Sequence, residues 1–336
     1  MKKVLITGGT GYIGSHCAIS LLENGFIPII LDNLSNSNKD VIKKIENVTK
    51  KKIFFYKGDL RDKKILNLIF KKHKIYAVIH CAAFKSVGES VKKPLDYFVN
   101  NSCSTLTLLE TMSGNKVFKI IFSSSAIVYD DSKPLPYSEN SLTGKTKNPY
   151  GQSKYITEQI LKDLAKFDNR WIIRIARYFN PVGNHSSGLI KESPKGIPNN
   201  LFPIITNVIK NKNSYLKIFG KNYPTKDGTC LRDYIHVMDL AEGHIALLKK
   251  DILKKGLEIY NFGTGKGVSI LEVVKEFEKV LEKNIAIKYV KRRKGDAAIS
   301  FCSSKKAFKK LNWKCKLNIN SAVNDIKKNL IIEKKI

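Results

Sequence analysis

An α/β fold built on a doubly wound, mostly parallel sheet is what this chain predicts. Three observations carry that reading. A glycine-rich turn separates an apolar run from a helical pattern near the N-terminus, strand-type runs alternate with helical periods through the first half, and polar residues gather where those runs end.

The first element is the apolar run Lys3-Val4-Leu5-Ile6-Thr7, followed by Gly8-Gly9-Thr10-Gly11-Tyr12-Ile13-Gly14 and a helical period from Ile13 to Leu22 that stops near Asn24-Gly25. Glycines at 8, 11 and 14 permit a tight turn and let backbone amides at a helix N-terminus approach a pyrophosphate. By itself such a loop is compatible with a plain turn. A second strand over 27–31 ends at Asp32, an acid placed about 20 residues past the loop, where it can bind a ribose 2′-hydroxyl and repel a 2′-phosphate. That order favours NAD over NADP. Further strands are expected over 52–56, 76–81, 119–124 and 171–178, with helices over 39–50, 62–72, 88–113 and 149–167. The rhythm is that of a Rossmann-type sheet, whose ligands bind outside the carboxyl ends of the strands. From about residue 180 it gives way to loops rich in Gly, Pro and Asn, with helices near 199–211, 238–249 and 269–282. Two domains are expected: 1–180 for a dinucleotide, and a smaller α/β domain over 181–336 for the substrate, with some crossover of the chain between them.

Chemistry enters with Tyr150-Gly151-Gln152-Ser153-Lys154, which follows the serine run Ser123-Ser124-Ser125. On a helix, residues i and i+4 share a face, so an ammonium stands near a phenol. A free tyrosine has a pKa of about 10, and a neighbouring positive charge favours the phenolate. With the glycine turn upstream, the pattern fits a nicotinamide enzyme that moves protons with tyrosine.

Composition narrows the alternatives. The net charge of +31, from 60 Lys and Arg against 29 Asp and Glu, is the usual footprint of a nucleic-acid binder. Here the lysines are spread along the chain, no nucleic-acid motif accompanies them, and aromatics do not alternate with the basic clusters. Specific nucleic-acid binding is therefore not expected. No apolar run approaches the ~20 residues of a membrane helix, and a strand beginning by residue 4 leaves no room for a secretory signal. The six cysteines, Cys17, Cys81, Cys103, Cys230, Cys302 and Cys315, are scattered without C-x-x-C or metal-type spacing. Free thiols in the cytoplasm, and no metal, are expected.

The loop Thr7 to His16 together with Tyr150 and Lys154 resembles the extended short-chain dehydrogenase/reductase superfamily. Longer matches resemble its UDP-glucose 4-epimerases: Leu31-Asp32-Asn33-Leu34, Lys85-Ser86-Val87-Gly88-Glu89-Ser90, Arg177-Tyr178-Phe179-Asn180-Pro181-Val182-Gly183, Gly196-Ile197-Pro198-Asn199-Asn200-Leu201, Asp227-Gly228-Thr229, Arg232-Asp233-Tyr234-Ile235-His236-Val237, and Arg292-Arg293 with Gly295-Asp296. They span nearly the whole chain.

The resemblance implies exchange of UDP-galactose and UDP-glucose through a 4-keto sugar, with tightly held NAD. It casts Tyr150 as base, Lys154 as the group that lowers the Tyr150 pKa and holds the nicotinamide ribose, and Ser125 as a relay to the reacting oxygen. Implied cofactor contacts are Gly8, Gly11, Tyr12, Ile13, Gly14, Asp32, Asn33, Asn36, Ser37, Asp59, Leu60, Cys81, Ala82, Ala83, Lys85, Asn100, Ser125, Tyr150, Lys154 and Phe179. Asn36 and Asn100 are also compatible with local turn or helix capping. Implied UDP-hexose contacts are Lys85, Ser125, Tyr150, Asn180, Asn200, Leu201, Arg232, Arg293, Asp296 and Ser300. The two arginines suit a diphosphate through charge-assisted bonds. Ser300, where relatives restricted to plain hexoses commonly carry tyrosine, leaves room for an N-acetyl group, although a slip of one residue in that match would bring Phe301 there instead. Ile127, Asp130 and Ala83 depart from the family pattern without touching Tyr150, Lys154, Asp32 or the glycine loop. A homodimer through the helices over 88–113 and 149–167 is expected, using Val91, Leu95, Leu106, Leu109, Ile156, Ile160 and Leu164, unless these pack on their own sheet. A 4,6-dehydratase of the same superfamily would need an acid pair where Ala126 and Ile127 stand.

Overall fold

The computed structural model describes residues 1–196, 198–250, 255–293 and 296–334. The chain divides into two compact units, neither continuous in sequence. The first comprises Met1–Asp130, Ser141–Tyr178 and Ala241–Tyr260, and the second Asp131–Asn140, Phe179–Leu240 and Asn261–Ile336.

In the first unit, strands β1 (Lys3–Thr7), β2 (Ile27–Asp32), β3 (Phe54–Lys57), β4 (Ile75–His80), β5 (Lys119–Ser125) and β6 (Ile172–Tyr178) alternate with helices α1 (Tyr12–Glu23), α2 (Asp40–Thr49), α3 (Lys63–Lys72), α4 (Val87–Lys92), α5 (Pro94–Phe98), α6 (Ser104–Gly114) and α7 (Pro149–Phe167). The central runs Val4-Leu5-Ile6, Ile29-Ile30-Leu31 and Ile120-Ile121-Phe122 are buried throughout, as strands covered on both faces require. Pairing is parallel from β3 through β2, β1, β4 and β5 to β6. A seventh strand, β11 (Gly256–Phe262), lies beside β6 at the edge. Because β1 sits between β2 and β4, the chain reverses its winding there, and the ligand crevice of such a sheet opens at that point.

The single helix expected over 88–113 is four pieces. Pro94 opens α5, since proline has no N–H to continue a helix, and a π-helical turn, Val99–Cys103, joins α5 to α6. The strand expected over 52–56 is Phe54–Lys57.

The second unit is built from short strands: β7 (Asn180–Val182), β8 (Leu216–Phe219), β9 (Leu231–Arg232), β10 (Tyr234–His236), β12 (Val268–Ser269), β13 (Ile287–Val290) and β14 (Ile299–Ser300). They pair as β10 with β7, β13 with β8, and β12 and β14 on either side of β9. Its core gathers Phe202 and Ile205 of α8 (Leu201–Ile209), Val273 and Phe277 of α10 (Ile270–Leu281), and Val323, Ile326 and Leu330 of α12 (Ile319–Ile332). Helices α9 (Val237–Lys249) and α11 (Lys305–Leu311) complete the set. Among the described residues, no helix is long and apolar enough to cross a membrane.

Candidate active site

The glycine loop joins β1 to α1 as a closed cradle. Gly8, at φ +69°, donates its N–H to Leu31 O at 2.9 Å, and Gly11 N donates back to Gly8 O at 3.1 Å. A Cβ on Gly8 would stand 2.8 Å from backbone atoms of Ala82, and one on Gly14 would stand 2.3 Å from Gly8 O and 2.8 Å from Gly9 Cα. The N-cap of α1 is Gly11, which brings no side chain to the first-turn amides. Those amides and the helix dipole therefore suit an anion. Tyr12 and Ile13 are half-buried at the start of α1.

Asp32, at the end of β2, is buried and already accepts from Thr10 N at 3.1 Å, Leu34 N at 2.8 Å and Ser37 Oγ at 3.1 Å. A carboxylate offers about four lone-pair sites, so capacity remains for one further donor. Asn33 Nδ2 donates to Asp59 at 3.1 Å, and Arg61 closes a fork on the same carboxylate, holding it well below the usual carboxylate range. Leu60 is buried beside it, and Asn36 is exposed. The residues fit a dinucleotide: a backbone cradle that no side chain fills, beside a buried acid at the end of the next strand.

The end of β4 carries the half-buried run Cys81, Ala82 and Ala83 and then the exposed Lys85. Cys81 N donates to Thr7 O at 3.1 Å, which pins this segment to β1. Asn101 donates to Phe84 O and Ser153 Oγ and accepts from Phe84 N, all within 3.0 Å. Asn100 stands in the π-helical turn with its amide donating to Asn101 Oδ1, so it caps nothing. Such turns are frequent at functional sites.

Tyr150 sits in the first turn of α7, whose N-cap Asn148 accepts from Gly151 N at 2.9 Å. The buried face of this helix carries four polar side chains, Ser153, Lys154, Thr157 and Glu158, before Leu161 enters the core. Each has a partner. Lys154 Nζ donates to Ser123 O at 2.7 Å and lies over the Phe122 ring. Glu158 accepts from Ser124 Oγ at 2.6 Å and from Arg177 at 2.9 and 2.5 Å. Glu158 and Arg177 are both fully buried. Nothing in the sequence reading selected Glu158. Its one signal was its spacing, four residues past Lys154 and eight past Tyr150 on the same helical face.

Burial raises the Tyr150 pKa, and a hydrogen bond with Ser125 pulls it partway back. The Lys154 ammonium, expected to lower it, donates to the Ser123 carbonyl. Lys154 is itself pushed down to about 8 by burial, against the upward pull of Cys81 and Glu158.

In the second unit, β14 pairs with β9 in a register that sets Ser300 opposite Arg232. Arg232 lies 3.7 Å from Asp296. Arg293 stacks on Phe219 at 3.8 Å. Asn180 N donates to Asp233 O, and Asn200, at the N-cap of α8, donates to Glu192 at 2.7 Å, with Leu201 next to it. Phe179 is buried at the start of this unit and donates its N–H to Phe262 O. Ile197 and Gly295 of the quoted motifs lie outside the described residues. Of the departures, Asp130 is buried, has no left-handed φ, and donates its N–H to Leu142 O.

A family model described as GDP-mannose 4,6 dehydratase matches residues 5–326. The UDP-glucose 4-epimerase of Yersinia pestis is 48% identical over 322 residues, covering 96% of this chain and 95% of that protein. The crystal structure of UDP-glucose 4-epimerase from Bifidobacterium longum in complex with NAD⁺ and UDP superposes with a TM-score of 0.96 at 45% identity over 99% of each chain. The UDP-Glc/GlcNAc 4-epimerase of Campylobacter jejuni does so with a TM-score of 0.84 at 32% identity, covering 100% of each.

Gly14→Ala tests the cradle. Its methyl meets backbone rather than flexible side chain, so the variant is expected to lose about 1–3 kcal/mol of stability, the usual range for overpacking. A thermal melt that matches wild type would show that the loop relaxes freely.

Proposed function

The chain belongs to the family of the GDP-mannose 4,6 dehydratase model and, within it, to the UDP-glucose 4-epimerases, and on that footing we propose that it interconverts UDP-galactose and UDP-glucose with tightly held NAD. The observation that carries this reading is the joint placement, in one unit, of the Gly8–Gly14 cradle, Asp32, and Tyr150 with Ser125 near enough to lower its pKa.

When bound, NAD supplies reversible two-electron oxidation at C4 of the hexose. Tyr150, as phenolate, accepts the proton of the 4-hydroxyl, and Ser125 donates to the same oxygen. The 4-keto sugar turns, and Tyr150 returns the proton after the other face is presented. Lys154 fastens α7 to β5 through Ser123 and offers its remaining N–H donors to the nicotinamide ribose. Arg232 and Arg293 meet the diphosphate, with Asn180, Asn200, Leu201 and Asp296 completing the nucleotide contacts.

Elimination of water, the reaction named by the family model, requires an acid beside the base. After Ser125 the chain forms a 3₁₀ turn, Ala126–Val128, which supplies none.

Ser300 supports acceptance of N-acetylated UDP-hexosamines. It shares its register with Arg232, so the two side chains project to one face of the small sheet, while the next residue, Phe301, is turned the other way. The Campylobacter jejuni relative is described as a UDP-Glc/GlcNAc enzyme, which agrees with this reading.

A homodimer is the partner proposed. Val87, Val91, Leu95, Val99 and Leu106 are exposed along α4, α5, the π-turn and α6, Leu95 at 75%. Leu109 is buried in the core of its own unit, Ile160 and Leu164 pack against that core, and Ile156 is half-buried, so the interface falls to the first group. An apolar strip of this kind marks an interaction surface. Leu95→Glu is expected to give a monomer by light scattering where wild type gives a dimer; monomeric wild type at micromolar concentration refutes the interface.

Tyr150→Phe is expected to lower kcat by about 10²–10⁴-fold, the range for a general base, while calorimetry still shows UDP-sugar binding. Ser125→Ala removes the bond that favours the phenolate, so its pH–kcat profile moves to higher pH. Near-normal turnover of Tyr150→Phe, or an unmoved profile, rejects these roles.

Ser300→Tyr is expected to depress kcat/KM for UDP-N-acetylglucosamine selectively, leaving UDP-glucose within about threefold, in keeping with the 10–200-fold reach of steric discrimination in a pocket. A wild type that already refuses the N-acetylated sugar removes Ser300 as the gate.

A further inference from the structure

Beside the crevice end of the sheet, three soft-donor side chains converge from three elements. Cys17 comes from α1, Cys81 from the residue after β4, and His244 from α9, and their ligand atoms all lie within 4.8 Å of one another. Cys17 and His244 are fully buried, whereas Cys81 is half-buried. Two buried thiols alone would be ordinary core filling. An imidazole joining them makes a three-donor set with one partly open side, the composition of zinc sites that keep a fourth position for water.

We propose that Cys17, Cys81 and His244 form a binding site for a thiophilic divalent cation such as Zn²⁺, and that its occupancy arrests turnover. Binding releases the two thiol protons, so the ion and its two thiolates are together neutral and imidazole binds as the neutral base. Zinc bonds of about 2.3 Å to sulfur and about 2.0 Å to nitrogen place tetrahedral ligands roughly 3.5–3.8 Å apart. Closing the cluster around the ion therefore moves its members by up to about 1 Å.

The consequence follows from what Cys81 touches. Its Sγ lies 3.2 Å from Ser123 Oγ, and the Ser123 carbonyl holds Lys154 at 2.7 Å. Drawing Cys81 to a metal breaks the first contact and shifts the segment leading to Lys85. A displacement of that size at a positioning site lowers rates by about 10²-fold.

Co²⁺ is the probe, and its absorption reads the site without reference to activity. Reduced, chelator-treated enzyme is expected to bind about one equivalent, with thiolate charge-transfer and tetrahedral visible bands. Cys17→Ser and, separately, His244→Gln should each lose that spectrum, while Cys103→Ser, an exposed thiol elsewhere, keeps it. The effect on turnover rests on the epimerase reading; the binding does not. Zn²⁺ should slow conversion of UDP-galactose by wild type by about 10–100-fold, reversibly with EDTA, and leave Cys17→Ser unaffected. Absence of the spectrum in wild type, its persistence in Cys17→Ser, or its loss in Cys103→Ser overturns the site. Normal binding with undiminished turnover overturns the arrest.

Discussion

Glu158 and Arg177 are both withdrawn from solvent, and their two-point contact joins α7 to β6 while Ser124 joins the same carboxylate to β5. Removing one partner of such a pair leaves a buried charge uncompensated, at a cost of about 3–5 kcal/mol. The position of α7 is thereby fixed to within hydrogen-bond tolerance. Tyr150 lies eight residues, a little over two turns, before Glu158 and inherits that placement. Lys154, between them, adds the third tie, to the backbone of Ser123. Leu161 adds apolar burial to the same helix, but apolar contacts are non-directional and leave a helix freer to slide. The polar face trades hydrophobic burial for register.

The same unit solves a second positioning problem with backbone alone. At the switch in strand order, β1 meets β2 on one side and β4 on the other, so the loops leaving all three converge. Gly8 and Gly14 allow the convergence to be close enough that no Cβ fits. His80, at the end of β4, bridges Thr7 and Thr105 at 2.7 and 2.8 Å and is kept neutral, its pKa pushed to about 3 by burial and then by Lys154. Here too the chemistry is carried by hydrogen-bonded polar groups that the surrounding apolar strands force into fixed geometry.

The strands of the first unit were legible because parallel strands buried on both faces read as unbroken apolar runs, such as Val4-Leu5-Ile6. β11 escaped notice because its Gly256-Leu257-Glu258-Ile259-Tyr260-Asn261-Phe262 lies at an edge and mixes polar with apolar residues. Strands of two to four residues in the second unit are too short to show a period. The helix over 88–113 was read through Pro94, where apolar periodicity continues although the hydrogen-bond ladder does not. At the site, Tyr150 and Lys154 stood out through spacing on one helix. The partner of Lys154 is a carbonyl, which no side-chain pattern reveals, and Arg177 reaches Glu158 only through the pairing of β5 with β6. Local signals were readable; contacts made by tertiary packing were not.

The central claim is that the hydrogen at C4 leaves and returns within one closed site while Tyr150 handles only the hydroxyl proton. UDP-galactose carrying deuterium at C4, incubated with purified protein and no added cofactor, tests it most directly by the mass of the UDP-glucose formed. The account predicts that conversion proceeds and that the deuterium is retained at C4. Loss of the label to solvent during conversion would contradict it.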